Sequence, residues 1–384
     1  MNQAIVTDGL WRKSLSTIRA LGKNGFDVTV MGDSIFTTGF WSRFTGKRLR
    51  CPTAKISEAQ FGETLLSALR KFKAKPVLFP MEDETLLWVM KNREELASFA
   101  DFLIPPEDSL LTAFDKGATI AIAEKLKLPH PKTWQPANIK EFSEVLKELH
   151  EQKIIVKPRH ASGSKGLKKE LKAEEAEAYW FKFGPPIVQE QIPQEGAGLG
   201  VSLLLDSKQN CLGSFVHRRL KEYPVTGGPS TDRVSMVNES LADQSLSLLK
   251  ELSWVGIGMV EWKLDPRDGV PKLMEINPRF WGSLELAVRS GINFPLLYAR
   301  AARRETVEPA RTYKNNLRCR WLIPGDILRY FSDVNRESFF EFLNGIPKEI
   351  EEWDPMDVRG FFATIICSLA LGLNPHYWKY IRRR

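Results

Sequence analysis

Lys272-Leu273-Met274-Glu275-Ile276-Asn277-Pro278-Arg279 is the stretch on which the reading of this 384-residue chain turns. In an extended strand, side chains at i, i+2 and i+4 leave one face, so Glu275, Asn277 and Arg279 project together, with the apolar Leu273 and Ile276 on the other face. Fourteen residues upstream, Glu261 sits in a second apolar run, Gly258-Met259-Val260-Glu261-Trp262-Lys263-Leu264. If the two runs pair as a hairpin through Asp265-Pro266-Arg267-Asp268-Gly269, Glu261 joins the polar set. Two carboxylates and an amide oxygen are hard donors suited to Mg²⁺, which keeps some waters and binds substrate phosphates. Arg279 adds a fixed positive fork for a charged oxygen. An amphipathic hairpin with a solvated polar face has the same local pattern, so the surroundings decide between the two. Past Pro278 the chain runs through Phe280-Trp281-Gly282-Ser283 into a helical stretch, Leu284 to Ser290. The polar groups thus gather where a strand ends, which is where open α/β sheets bind ligands.

Working outward, Lys153 to Lys157 reads as a strand ending in a lysine. The loop His160-Ala161-Ser162-Gly163-Ser164-Lys165-Gly166 follows, and its small residues let the backbone approach a phosphate. It lacks the spacing of a Walker A loop. A helix from Asp115 to Leu126 begins with an acidic cap and carries Lys116 in its first turn. Pro186 to Pro193 is another strand, followed by the turn Gln194 to Gly200 and a strand from Val201 to Leu205. Cys211 to His217 is a strand delivering Arg218 and Arg219, and neighbouring strand positions face opposite sides.

These segments resemble, in order, an ATP-grasp enzyme of the biotin carboxylase-like and carboxylate–amine ligase kind. The resemblance covers roughly residues 3 to 305 and is strongest at Asp115-Lys116, Ile155 to Pro158, Ala161 to Gly166, Val188-Gln189-Glu190, and Glu261 through Ser283. It implies that Lys116 and Lys157 contact nucleotide phosphates and that Ser162, Gly163, Ser164 and Gly166 belong to a phosphate-covering lid. It also implies that adenine sits on the hinge at Gln189 and Glu190, largely through backbone groups. Glu195 is the ribose-hydroxyl acceptor on this reading, although its loop departs from the Pro-Gly-Glu-Glu pattern. Arg219 matches the family position better than Arg218, and both Arg219 and Arg279 face the reacting groups. The implied cofactors are ATP and Mg²⁺, with Mn²⁺ as a substitute, around Glu261, Glu275 and Asn277. The implied reaction forms an acyl phosphate and ADP from a small carboxylate, then transfers the acyl group to an amine. Carboxylase-like or kinase-like chemistry, or a non-catalytic nucleotide-binding scaffold docked to a membrane assembly, are the alternatives. Enzymes of this kind are often dimers.

The expected fold class is α/β. A Rossmann-like layer over residues 1–105 precedes an ATP-grasp unit over 106–305, whose lid spans about 125–190, and an α-rich appendage occupies 306–384. In the first layer, a strand at the N-terminus leads to a helix from Leu10 to Leu21, a strand from Asp27 to Met31, a strand from Pro76 to Pro80 and a helix from Thr85 to about Lys91. No G-x-G-x-x-G follows the first strand, so dinucleotide binding is not indicated. The resemblance places acceptor recognition near Thr7-Asp8-Gly9 and Tyr223 to Thr231.

A net charge of +8 with 27% charged residues fits any anionic partner and selects none. The basic residues are dispersed among acids, which argues against nucleic acid as a partner. Four scattered cysteines without a C-x-x-C pair indicate neither a zinc cluster nor a disulfide framework, and a reducing cytoplasm is the simplest setting. Gly360 to Leu373 contains fourteen uncharged residues, short of the roughly 20 needed to span a bilayer. With Arg359 before it and Tyr377-Trp378-Lys379-Tyr380-Ile381-Arg382-Arg383-Arg384 after it, the segment reads either as a helix packed in the core or a dimer interface, or as one lying in a membrane interface.

Overall fold

Apolar runs that alternate with amphipathic helices build a parallel sheet at the N-terminal end. The computed structural model describes residues 2–160, 166–225 and 227–373. In it, the strands Thr45–Arg50, Phe26–Gly32, Asn2–Val6 and Val77–Phe79 lie side by side in that order. All are parallel, and Ala4, Val6, Val28 and Val30 are fully buried, as in a sheet covered on both faces. Helices Arg12–Gly22 and Asp83–Lys91 start within two residues of the positions expected. Thr45–Arg50 has no counterpart in the sequence reading. It carries no apolar alternation because it is an edge strand, with Lys47, Arg48 and Arg50 turned to water.

A smaller sheet contains Thr133–Trp134, Pro186–Glu190, Ile154–Pro158 and Lys168–Lys169. Val156 pairs directly with Val188, and both are buried with Phe142, Leu146 and Tyr179 beneath the helices Ile139–Glu148 and Ala176–Phe183. The two-residue period therefore sends Ile155, Lys157 and Gln189 out of the opposite face, away from those helices.

The large sheet has seven strands in the order Pro271–Asn277, Gly256–Leu264, Gly198–Leu205, Cys211–Glu222, Ser230–Ser235, Arg318–Arg320 and Glu349–Ile350. The expected hairpin closes at Gly269, whose φ of +72° suits a residue without Cβ and whose N–H donates to the Asp265 carbonyl at 2.8 Å. Strict alternation would put Leu273 on the Glu275 face. A bulge prevents this, because Glu261 pairs with Glu275 while the next residue, Trp262, pairs with Leu273. The extra residue, Met274, lets Leu273 and Ile276 share the core with Val260 and Trp262.

The C-terminal part is α-rich, yet it also supplies the last two strands of the large sheet. Its acids lock it to both neighbours. Asp357 accepts from Arg19 Nε at 2.8 Å, and Glu351 accepts from Arg12 Nη1 at 3.0 Å and also pairs with the fully buried Arg233. The helix Val358–Leu373 buries Gly360, Ala363 and Cys367 against the turn Thr38–Trp41. Phe362, Ile366 and Leu369, on another face, remain 56%, 59% and 62% exposed. The helix is thus half core and half surface. Among the described residues no helix is long and apolar enough to cross a membrane. The basic segment Tyr377 to Arg384 lies outside the described residues.

Candidate functional site

Antiparallel pairing of the two late strands sets Glu261 directly opposite Glu275. Asn277 Nδ2 donates to Glu261 Oε1 at 3.0 Å, so all three oxygen-bearing side chains meet on one face. Arg219 Nη2 lies 2.6 Å from Glu261 Oε1 and Nη1 lies 3.3 Å from Glu222, whereas Arg218 is exposed. Lys116 Nζ, from the first turn of the helix Lys116–Lys125, stands 3.7 Å from Glu275 Oε2. Burial raises the Glu261 carboxyl above its ordinary value, Arg219 opposes the rise, and the facing charge of Glu275 adds to it. Loss of solvent brings the Lys157 ammonium down to about 8, against the pull of Glu275 and with the push of Lys116. Carboxylates from one hairpin and lysines from two other elements therefore act on each other across a single cleft.

Crowding of two carboxylates, relieved by cations of the same chain, marks a place where a divalent ion fits. Glu261, Glu275 and Asn277 are the residues that would hold it. Among the described residues there is no group of three or more His, Cys, Asp or Glu suited to a metal. A two-carboxylate set agrees with an ion that completes its shell with water and phosphate oxygens instead of a protein cage.

Arg279 lies beyond the strand end, where Nε donates to Asp83 Oδ1 at 2.7 Å. Burial lowers its affinity for the proton, but Asp83 and Glu82 outweigh that and hold the guanidinium above its ordinary value. Lys13 pairs with Glu82 at 2.7 Å, and Asp8 accepts from Thr7 and Thr85 hydroxyls at 2.7 and 2.9 Å. Burial, reinforced by Glu82, raises the Asp8 carboxyl to about 6. The N-terminal layer thus presents an alternating set of charges beside Arg279. Within this layer, the sequence reading gave a part in recognition only to the turn at Thr7 to Gly9.

The remaining expected residues divide. Ser162, Gly163 and Ser164 lie outside the described residues, as does Thr226 in the loop Tyr223 to Thr231. Gly166 has φ +76°, and its carbonyl accepts from the Tyr179 hydroxyl at 2.8 Å, which seats this residue on the helix Ala176–Phe183. Gln189 Nε2 donates to Thr133 Oγ1 at 2.8 Å, while the Glu190 carboxylate accepts from Lys132 N at 2.9 Å and Arg267 Nη2 at 2.9 Å. Both side chains brace their strand. Glu195 is exposed on its turn, with its charge felt by Lys263. Arg159 was not foreseen. It holds Asp115 through Nε and Nη2 at 2.9 and 2.8 Å, and Asp115 in turn caps the helix that carries Lys116. This clamp ties the end of the strand Ile154–Pro158 to the helix that carries Lys116.

Next to Glu261 on the adjoining strand stands Gly200, itself opposite His217. The imidazole covers the glycine so closely that a Cβ there would fall 2.3 Å from His217 Cε1. Burial, with help from Arg219 and Arg233, lowers His217 to about 3, so the ring is neutral and bonds Ser283 through Nε2 at 3.2 Å. Gly200→Ala should therefore displace the ring and lower the unfolding free energy by about 1–3 kcal/mol, measured by urea denaturation. Unchanged stability would show that the ring moves freely.

Comparison with known proteins adds a consistent picture of the fold. The family model described as ATP-grasp in the biosynthetic pathway with Ter operon matches residues 206–323. No curated protein sequence matches the chain. Among solved structures, the biotin carboxylase domain of Hydrogenobacter thermophilus 2-oxoglutarate carboxylase, in complex with MgADP and bicarbonate, superposes with a TM-score of 0.67 at 14% identity, covering 83% of this chain and 73% of that one. N5-carboxyaminoimidazole synthetase from Staphylococcus aureus gives a TM-score of 0.62 at 10% identity, covering 80% and 79%. L-amino acid ligase from Bacillus licheniformis gives 0.59 at 15% identity, covering 79% and 74%.

Proposed function

Because this chain has the ATP-grasp fold, we propose that it is an ATP-dependent, ADP-forming ligase that activates a small-molecule carboxylate as an acyl phosphate and passes the acyl group to an amine. The observation that carries this reading is the facing pair Glu261 and Glu275, with Asn277 beside it and Lys116, Lys157 and Arg219 around it. Structurally similar proteins include one solved with MgADP and one named an L-amino acid ligase, which supports both halves of the reaction.

Mg²⁺ bound at Glu261, Glu275 and Asn277 would supply charge neutralisation for the triphosphate. Lys116 and Lys157 offset the remaining phosphate charge, and Arg219 and Arg279 steady oxygens on which charge develops. A carboxylate oxygen of the acid attacks the γ-phosphorus in line, and the bond to ADP breaks. The amine nitrogen then attacks the acyl carbon, phosphate departs, and the nitrogen's proton leaves with it. No protein nucleophile is required. The lid sheet closes Lys157 and Gln189 over the cleft and keeps water from the acyl phosphate.

The test is incubation with ATP, Mg²⁺ and pools of small carboxylates and amines, with ADP, AMP and phosphate measured. ADP and phosphate release that needs both an acid and an amine supports ligation. AMP formation, or release driven by bicarbonate alone, contradicts it.

Lys157 gives this reading a pH signature. The free protein keeps the proton on this lysine below about 8 and loses it above. Phosphate favours the charged form, so nucleotide affinity should fall as pH rises through that value, by at most about tenfold per pH unit. Isothermal titration with ADP across this range checks it. Lys157→Arg should flatten the profile, because a guanidinium stays charged throughout.

A further inference from the structure

We infer that Arg159 is a positioning residue for nucleotide binding: by holding Asp115, it fixes the place from which Lys116 meets the phosphates. This rests on the assignment of Lys116 and Lys157 to phosphate made above. The two lysines come from separate elements, the helix Lys116–Lys125 and the strand Ile154–Pro158. What joins those elements lies around Arg159, just past Lys157 in the chain. Its carbonyl accepts from Lys116 N at 3.2 Å. Its Nε and Nη2 grip both carboxylate oxygens of Asp115, at 2.9 Å to Oδ1 and 2.8 Å to Oδ2, and such a fork fixes direction as well as distance. Asp115 Oδ1 also accepts from Gly117 N at 2.8 Å and Ala118 N at 3.2 Å. One carboxylate thus holds the guanidinium and the first N–H groups of the helix together.

Gly117 shows how close the approach is. A Cβ there would fall 2.9 Å from Arg159 Cζ and 2.4 Å from Gln135 Oε1. Gln135, next after the strand Thr133–Trp134, donates from Nε2 to the Gly117 carbonyl at 3.1 Å. Lys116 is therefore tied through its own N–H and through the residue on either side of it. Although burial works against it, bonds from Arg159 and from Ala118 N keep the Asp115 carboxyl below its ordinary value, so the ion pair persists at neutral pH. The two side chains are 30% and 16% exposed, and a partly solvated pair of this kind contributes little to overall stability. Its consequence is geometric. Loss of the clamp leaves the fold in place and releases the helix start that aims Lys116 at Glu275, 3.7 Å away.

The experiment is isothermal titration of the full chain with MgADP, for the parent, Asp115→Asn, Arg159→Gln, Lys116→Met and the double variant Arg159→Gln/Lys116→Met. Asparagine still caps a helix, so Asp115→Asn removes the ion pair and keeps the cap. It also removes a negative charge, and by charge alone phosphate should then bind more tightly. Loss of the clamp predicts the opposite sign, an ADP affinity about fivefold lower or less. Arg159→Gln should weaken binding to a similar extent, since the two variants open the same clamp from either side. In the Lys116→Met chain it should cost no more than about twofold further, because a residue that acts through Lys116 has nothing left to place. Parental or tighter binding by Asp115→Asn overturns the inference, and so does an Arg159→Gln loss that persists in full without Lys116, which would put the guanidinium itself on the phosphates. In both cases the parent binds MgADP and the nucleotide reading stands. A parent that binds no MgADP fails that reading, and the inference falls with it.

Discussion

Glu275→Gln is expected to lower ATP turnover by about a hundredfold or more. The side chain stays isosteric and is 34% exposed, so the fold should survive and urea denaturation should be nearly unchanged. What disappears is one of two facing charges. The remaining carboxylate, Glu261, no longer feels a like charge across the strand pair, so its raised pKa should fall back toward the ordinary range. A divalent ion then meets one anion where it met two, and the charge gained by the phosphates during transfer is less well neutralised. The loss should fall mainly on kcat, because that charge is greatest in the transition state. Measurement is steady-state ADP release over a range of Mg²⁺ concentrations. Unchanged turnover would remove Glu275 from the chemistry.

Glu351→Gln should lower the unfolding free energy by about 3–5 kcal/mol, because it leaves Arg12 and Arg233 buried without their shared anion. Glu352, next in sequence, complicates the expectation in an informative way. Burial and the neighbouring Glu351 raise its carboxyl from 4.5 to about 8, so it is protonated in the fold at neutral pH. The native state then binds more protons than the unfolded chain between those values, and this group's contribution to stability falls as pH rises through that window. With Glu351 neutral, Glu352 ionises more readily and offsets part of the loss. Urea titrations across the window should therefore show a flatter slope for Glu351→Gln than for the parent, and a larger loss for Glu351→Gln/Glu352→Gln. A loss near zero in the double variant would show that the two arginines find water instead.

The hairpin was legible because its logic is local. Period-two alternation, a turn ending in glycine and two carboxylates at matching depth require no knowledge of the rest of the chain. The bulge at Met274 was hidden, and it is what reconciles Leu273 with the core. The choice between Arg218 and Arg219 needed the register of Cys211–Glu222, which turns Arg219 toward Glu261. Less legible were contacts made by residues far apart in sequence. Asp115 and Arg159, or Arg12 and Glu351, carry no local mark of their partnership, since any of them alone reads as a solvated charge. The strand Thr45–Arg50 escaped because an edge position removes the apolar pattern by which strands are recognised. Arg318–Arg320 and Glu349–Ile350 are too short to show a period at all. The last helix defeated a single description because its two faces have different fates.

If Glu261 and Glu275 share one divalent ion, Mn²⁺ electron paramagnetic resonance with a non-hydrolysable ATP analogue reads that sharing out. The parent chain should immobilise one Mn²⁺ when the analogue is present, and Glu261→Gln and Glu275→Gln should each lose most of that signal while remaining folded. Retention of the bound Mn²⁺ spectrum by both variants would contradict it.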